Sequence, residues 1–136
     1  MIRAYLVDDE RLAVERLSRL LDRTGRVQVV GSSTDPEVAL AAIEHARPDV
    51  LFLDIQMPGL TGFDLLERLP LAVPVIFTTA YDEHALRAFA TNSIDYLLKP
   101  VDADRLAQAL DKLERLTTGQ APDVRALARE LAAQLG

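Results

Sequence analysis

The stretch Asp49-Val50-Leu51-Phe52-Leu53-Asp54-Ile55-Gln56-Met57-Pro58-Gly59 decides the architecture. Its apolar residues 50–53 run without a polar break and stop at a carboxylate, with a Pro-Gly turn pair close behind. A short continuous apolar run bounded by turn residues is the pattern of a strand covered on both faces, whereas a strand with one wet face alternates. Runs of the same kind recur at 2–7, 27–30, 73–77 and 94–98. The segments between them have helical spacing. In the first, Leu12, Leu17, Leu20 and Leu21 are grouped on one side, with Arg16, Arg19 and Arg23 on another. The second is expected over about 36–45, opened by Asp35 as N-cap and Pro36 in the first turn. A third begins after Gly62 and includes Leu65, Leu66 and Leu69. The fourth covers about 83–91, and the fifth begins near Asp102 with Leu106, Ala109, Leu110 and Leu113.

Repeated β–α alternation implies right-handed crossovers and a parallel sheet with helices on both faces. Five such units fit a flavodoxin-like, doubly wound α/β fold of strand order 2-1-3-4-5 with five helices, whose ligand crevice lies beyond the carboxyl ends of the strands. Residues 1–118 are expected to form this domain. Thr117-Thr118-Gly119-Gln120-Ala121-Pro122 reads as a linker. After it, Val124, Leu127, Ala128, Leu131, Ala132 and Leu135 fall at helical spacing, an amphipathic helix that is marginal alone in water. Residues 119–136 are therefore expected to pack on this domain, to pair with another chain, or to lead into a missing output domain.

Composition narrows the function. The 136 residues are 49% hydrophobic and 26% charged, close to the globular average, which excludes a wholly disordered chain. No apolar run approaches the roughly 18 residues of a membrane span, and the first ten residues are not a signal peptide. The absence of cysteine excludes disulfides, thiolate metal sites and thiol catalysis. His45 and His84 are too few and too far apart for a histidine metal cage. A net charge of −6 argues against direct binding to nucleic acid, which needs a basic face. Residues 119–136 are neutral, Arg125 and Arg129 balancing Asp123 and Glu130, so this charge sits in residues 1–118.

The informative residues follow the strands. Strand one runs into Asp8-Asp9-Glu10, strand three into Asp54, strand four into Thr78-Thr79, and strand five into Lys99-Pro100. Taken singly, each has a plain reading: a helix N-cap for Asp8-Asp9-Glu10, a turn residue for Asp54, a cap for Thr79, a solvated loop lysine for Lys99. Together, at adjoining strand ends, they make one crevice. Carboxylates so crowded repel one another and raise each other's pKa unless a cation lies among them. Oxygen ligands completed by water suit Mg²⁺. Asp54 is a candidate nucleophile for an aspartyl phosphate, with Asp8 and Asp9 for the metal and Lys99 and Thr79 for the phosphoryl oxygens.

These segments, Leu6-Val7-Asp8-Asp9-Glu10, 49–59, Thr79-Ala80 and Asp95-Tyr96-Leu97-Leu98-Lys99-Pro100, together resemble the receiver domain of bacterial two-component response regulators. Residues 81–89 and 95–101 more closely resemble receivers joined to a LytTR-type DNA-binding domain. The resemblance implies that Asp54 accepts a phosphoryl group from a sensor histidine kinase. It implies that Asp9 ligates Mg²⁺ directly, Asp8 largely through water, and the Gln56 carbonyl completes the protein ligands. It also implies a cis peptide at Lys99–Pro100, a switch linking Thr79 to Tyr96, and a homodimer through the fourth helix, fifth strand and fifth helix. Arg87, Asp95, Asp102, Arg105 and Asp111 lie on or near that face, and Arg16, Arg19 and Arg23 are either a solvated helix face or a kinase docking surface. Tyr81, two residues after Thr79, is expected to slow hydrolysis of the phosphoryl group.

The resulting expectation is a cytoplasmic, phosphorylation-controlled switch, not an enzyme beyond its own phosphorylation and dephosphorylation, acting on DNA only through an output domain. Three rivals are weaker. A haloacid-dehalogenase-like phosphatase needs a second acid two residues after the nucleophile, where Gln56 stands. A flavin module needs a glycine- and hydroxyl-rich phosphate loop where Asp8-Asp9-Glu10 stands. A standalone adaptor working through protein contacts alone is the third.

Overall fold

A computed structural model describes residues 1–80 and 93–117 of the chain. In chain order they form β1 (Ile2–Val7), α1 (Arg11–Thr24), β2 (Val27–Ser33), α2 (Pro36–Ala46), β3 (Val50–Asp54), α3 (Gly62–Arg68), β4 (Val75–Thr79), β5 (Asp95–Leu98) and α4 (Ala103–Thr117). The five strands make one parallel sheet in the order β2-β1-β3-β4-β5, the doubly wound order expected from the alternation. α4 is the fifth helix of that expectation. The fourth, at about 83–91, lies outside the described residues, as do Tyr81, His84, Arg87 and the helix expected after residue 119.

Strand side chains alternate between two cores. Ala4, Leu6, Val50, Phe52, Ile76 and Leu97 point to one face, where Val14 and Leu21 of α1 and Leu106, Ala109, Leu110 and Leu113 of α4 cover them. Tyr5, Val7, Leu51, Leu53, Val75 and Phe77 point to the other, under Ala39 and Ile43 of α2 and Phe63 and Leu65 of α3. β3 is buried along its whole length, as its unbroken apolar run requires.

The helix ends follow local chemistry. The Asp35 carboxylate accepts the Glu37 N–H, with Pro36 in the first turn of α2. α2 ends on Arg47 at φ 47°, and the Arg3 guanidinium donates to the carbonyls of Ala46 and Arg47. Thr61 and Asp64 form a reciprocal capping box on α3. Asp102 accepts the Arg105 N–H at the start of α4. One expected grouping fails. Leu12 is 77% exposed, while Val14 and Leu21 are buried. At about 100° per residue, nine residues put Leu12 half a turn away from Leu21, so it cannot share that helix's buried face.

Candidate functional site

The register of the sheet brings the strand ends level. Val7 pairs with Leu53, Asp54 with Thr78, and Thr79 with Leu98. Residues just past these positions therefore emerge side by side at the carboxyl edge. Asp8, Asp9 and Asp54 each offer a carboxylate oxygen within 4.8 Å of the others. Asp8 and Asp54 are buried, and Asp9 is half-buried. Lys99 arrives from the end of β5, its N–H held by the Thr79 carbonyl at 2.7 Å. Its Nζ lies 2.6 Å from Asp8 Oδ2 and 3.6 Å from Asp54 Oδ2. The Lys99–Pro100 peptide is cis.

Electrostatics follow from this crowding. Burial, with the charge of Asp8 and the contact with Asp9, pushes the Asp54 carboxyl up to about 7 against the opposing pull of Lys99. Burial also works against the charged form of Lys99. The hydrogen bond to Asp8 and the charges of Asp54, Asp8 and Glu10 outweigh it and raise the amine's pKa. A buried carboxylate cluster with one ammonium is short of positive charge, and its donors are all oxygens. That donor set fits a hard divalent cation such as Mg²⁺.

The plain reading of Asp8-Asp9-Glu10 as a helix cap accounts for only part of the geometry. Glu10 is the N-cap of α1 without a side-chain cap bond, and the first turn holds no acid. Asp8 Oδ1 accepts the Glu10 N–H, and its other oxygen faces Lys99. Thr79 is fully buried at the end of β4, Gln56 is exposed just past β3, and Tyr96 is half-buried on β5. Sequence reasoning missed two supports. The Ser33 carbonyl accepts the Asp8 N–H, tying the site to β2. Gly62 donates its N–H to the Ile55 carbonyl at 2.8 Å, and a Cβ there would stand 2.5 Å from the Asp54 carbonyl oxygen. Only a glycine lets α3 start this close to the end of β3. The signal available in sequence was a glycine eight residues after Asp54, in a loop already marked by Pro58-Gly59.

Residues 4–111 match the family model described as the response regulator receiver domain. This chain belongs to that family. The receiver is 49% identical over 117 residues to an uncharacterized response regulatory protein of Vibrio cholerae, covering 85% of this chain and 49% of that one. It is 39% identical over 123 residues to the sensory transduction protein LytT of Bacillus cereus, covering 88% and 50%. Among solved structures it is similar to the response regulatory domain of mrkE from Klebsiella pneumoniae, at 35% identity and TM-score 0.73, covering 87% of this chain and 97% of that one. It also resembles the REC domain of AraT, a response regulator from Geobacillus stearothermophilus, at 34% identity and TM-score 0.74, with coverages of 88% and 98%. The receiver spans about half the length of the curated relatives it matches. No helix among its described residues is long and apolar enough to cross a membrane.

The face expected to dimerise carries an ion cluster that is satisfied within one chain. Arg105 donates two hydrogen bonds to Asp95, at 2.6 and 2.8 Å, and one to the Tyr96 carbonyl. Lys112 lies 3.2 Å from the same carboxylate. The Asp95 and Arg105 side chains of the receiver thus brace β5 against α4.

Proposed function

We propose that this receiver is a phosphorylation-controlled switch in which Asp54 accepts a phosphoryl group from a sensor histidine kinase. The observation that carries the reading is the meeting of three carboxylates within 4.8 Å and one amine within 3.6 Å of Asp54 at the carboxyl edge of the sheet. Phosphoryl transfer asks for a nucleophile in line, cations to draw off charge, and donors for the equatorial oxygens. Asp54 attacks phosphorus through a carboxylate oxygen, and the bond to the donor's leaving group breaks. Asp9, Asp54 and the Gln56 carbonyl would hold Mg²⁺ directly and Asp8 largely through water. The ion supplies positive charge for the phosphoryl oxygens when bound. Lys99 leaves its contact with Asp8 for a phosphoryl oxygen, and the Thr79 hydroxyl donates to another.

The output is a population shift. Thr79 moving toward the phosphoryl group draws on the packing around Tyr96, and the surface of the fourth helix expected at 83–91, β5 and α4 changes with it. A shift from 1:99 to 99:1 needs about 5.5 kcal/mol of differential stabilisation. Charge-assisted hydrogen bonds from Lys99 and Thr79 are of the right kind to contribute it. That surface supports a homodimer. Residues 1–118 act as the receiver, and 119–136 connect it to an output domain. The resemblance of residues 95–101 to receivers joined to a LytTR-type domain favours an output that is DNA-binding and transcriptional, in a cytoplasmic protein; one relative is named a sensory transduction protein, LytT. Tyr81 shields the phosphoryl group from water.

The test is incubation with acetyl phosphate, with Mg²⁺ or with a chelator, followed by intact mass. The reading expects one added phosphoryl group that requires Mg²⁺ and is absent in Asp54→Asn. Equal incorporation in the presence of chelator would refute the metal's place in it.

A further inference from the structure

Between β1 and the outer strand β2 two buried hydroxyls meet. Tyr5, three residues before Asp8, pairs with Gly31, and its hydroxyl shares a hydrogen bond with the Ser33 hydroxyl. Ser33 is the diagonal neighbour two residues further along β2, within reach of an aromatic side chain. Gly31 leaves the path clear, since a Cβ there would stand 2.6 Å from Tyr5 Cε2. Neither hydroxyl takes part in the phosphotransfer chemistry.

We propose that Tyr5 and Ser33 are positioning residues for Asp8: their hydroxyls clamp the end of β2, so that the Ser33 carbonyl keeps hold of the Asp8 N–H. The consequence for the metal rests on the phosphotransfer reading. β2 is an outer strand with β1 as its neighbour, so its end is tied to the sheet from one side. The register shifts between Ala4 and Tyr5, and past that irregularity Gly31, Ser32 and Ser33 form a short terminal ladder against Tyr5, Leu6 and Val7. This ladder contributes little to the apolar core. Gly31 has no side chain, Ser32 is exposed, and Ser33 turns a hydroxyl inward. A strand end with few buried apolar contacts opens easily. The hydrogen bond between the two hydroxyls is what closes it.

Asp8 needs this support because one of its holds is temporary. The Ser33 carbonyl accepts its N–H at 3.2 Å, its Oδ1 accepts the Glu10 N–H, and its Oδ2 faces Lys99 Nζ. In the proposed reaction Lys99 departs for a phosphoryl oxygen. The Glu10 N–H lies two residues on in the same turn and moves with Asp8. The Ser33 carbonyl then remains the tie from Asp8 to the neighbouring strand, and a partner that orients a metal ligand in this way tunes the affinity of the site.

Tyr5→Phe, Ser33→Ala and the double variant separate positioning from packing. Each single change leaves a buried hydroxyl without its partner, whereas the double change leaves neither and should regain most of the stability that a single change loses. In metal-free protein, amide exchange at Asp8 should quicken about tenfold in all three variants relative to Phe52 and Ile76 on the central strands, the worth of one lost hydrogen bond. Mg²⁺ affinity, titrated by calorimetry, should fall about tenfold in all three, the low end for losing an outer partner of a metal ligand. Asp8 protection or Mg²⁺ affinity that returns with stability in the double variant overturns the inference. So does exchange that quickens equally at Asp8, Phe52 and Ile76. The exchange measurement needs neither metal nor phosphoryl group, so it decides the clamp by itself; a parent protein that binds no Mg²⁺ would instead sink the phosphotransfer reading.

Discussion

Lys99 Nζ approaches Asp8 Oδ2 to 2.6 Å while standing 3.6 Å from Asp54 Oδ2, so the amine closes on the carboxylate just past β1 and stands a full 1.0 Å further from that of Asp54. In this state the lysine offsets the charge that a bound cation would otherwise offset. The exchange of that contact for a phosphoryl oxygen is the step that the proposed switch turns on.

Removing the amine should expose the repulsion it masks. In metal-free protein at pH 8, Lys99→Met is expected to lose about 1.5–3 kcal/mol of stability, the range for a hydrogen bond to a charged group. The loss should be smaller at pH 5, where Asp54 carries a proton, and Mg²⁺ should recover part of it. Urea titrations at the two pH values check this.

The raised pKa of Asp54 sets a pH dependence with a definite sign. The folded carboxyl holds its proton to about 7 and the unfolded one only to about 3.8. Between those values the folded state binds more protons, so this group's contribution to stability falls as pH rises and is level above about 7. Asp54→Asn should remove that slope, making the metal-free protein more stable at pH 8 and little changed at pH 4. Thermal melts across pH, with and without Mg²⁺, measure it. On the proposed metal binding, Mg²⁺ should stabilise the parent chain at pH 8, because a ligand of the folded state alone raises stability.

Gly62→Ala places a methyl group 2.5 Å from the Asp54 carbonyl oxygen and 3.2 Å from Ile55 Cα. Both neighbours are backbone and cannot rotate away. The expected cost is about 1–3 kcal/mol, with slower phosphorylation because the acceptor strand end must shift. Gly25→Ala, where a Cβ meets nothing within 4 Å, controls for the second effect: it strains a left-handed helix cap but should leave the phosphorylation rate alone.

Arg105→Ala leaves the buried Asp95 carboxylate with Lys112 as its remaining ion-pair partner among the described residues. Burial pushes the Asp95 carboxyl upward, yet the hydrogen bonds from Arg105 and the Tyr96 N–H, with Lys112, bring it below its usual value. A depressed carboxyl contributes stability above about 4 that is lost as pH falls through its folded pKa. The variant should therefore be weaker by about 1–3 kcal/mol at pH 7, less than a fully buried pair because the arginine is partly exposed. The gap should narrow as acid protonates Asp95, as denaturant midpoints followed downward from pH 7 would show.

Much of this was legible in the residues because the fold is regular where the site is. The apolar runs at 2–7, 50–53 and 94–98 place their following polar residues at one edge, since parallel strands with right-handed crossovers have all their carboxyl ends together. β2 and β4 extended further than their apolar runs, to Ser33 and Thr79, because ladder pairing carries polar residues that apolar patterning does not count. Leu12 was misplaced by reading leucines as a group without stepping round the helix. Gly62 was read only as a helix start, since its role depends on how close α3 comes to Asp54. The Asp8–Lys99 contact joins residues ninety-one apart in sequence, and no local pattern announces it.

The most direct measurement is the chemical location of the phosphoryl group. Protein treated with acetyl phosphate and Mg²⁺, reduced with borohydride and digested should yield homoserine at position 54, the product of reducing an aspartyl phosphate. Homoserine at position 54 alone is the predicted result. Homoserine at position 8 or 9, or a phosphoryl group that resists reduction and stays on a hydroxyl, would contradict the assignment of Asp54 as the acceptor.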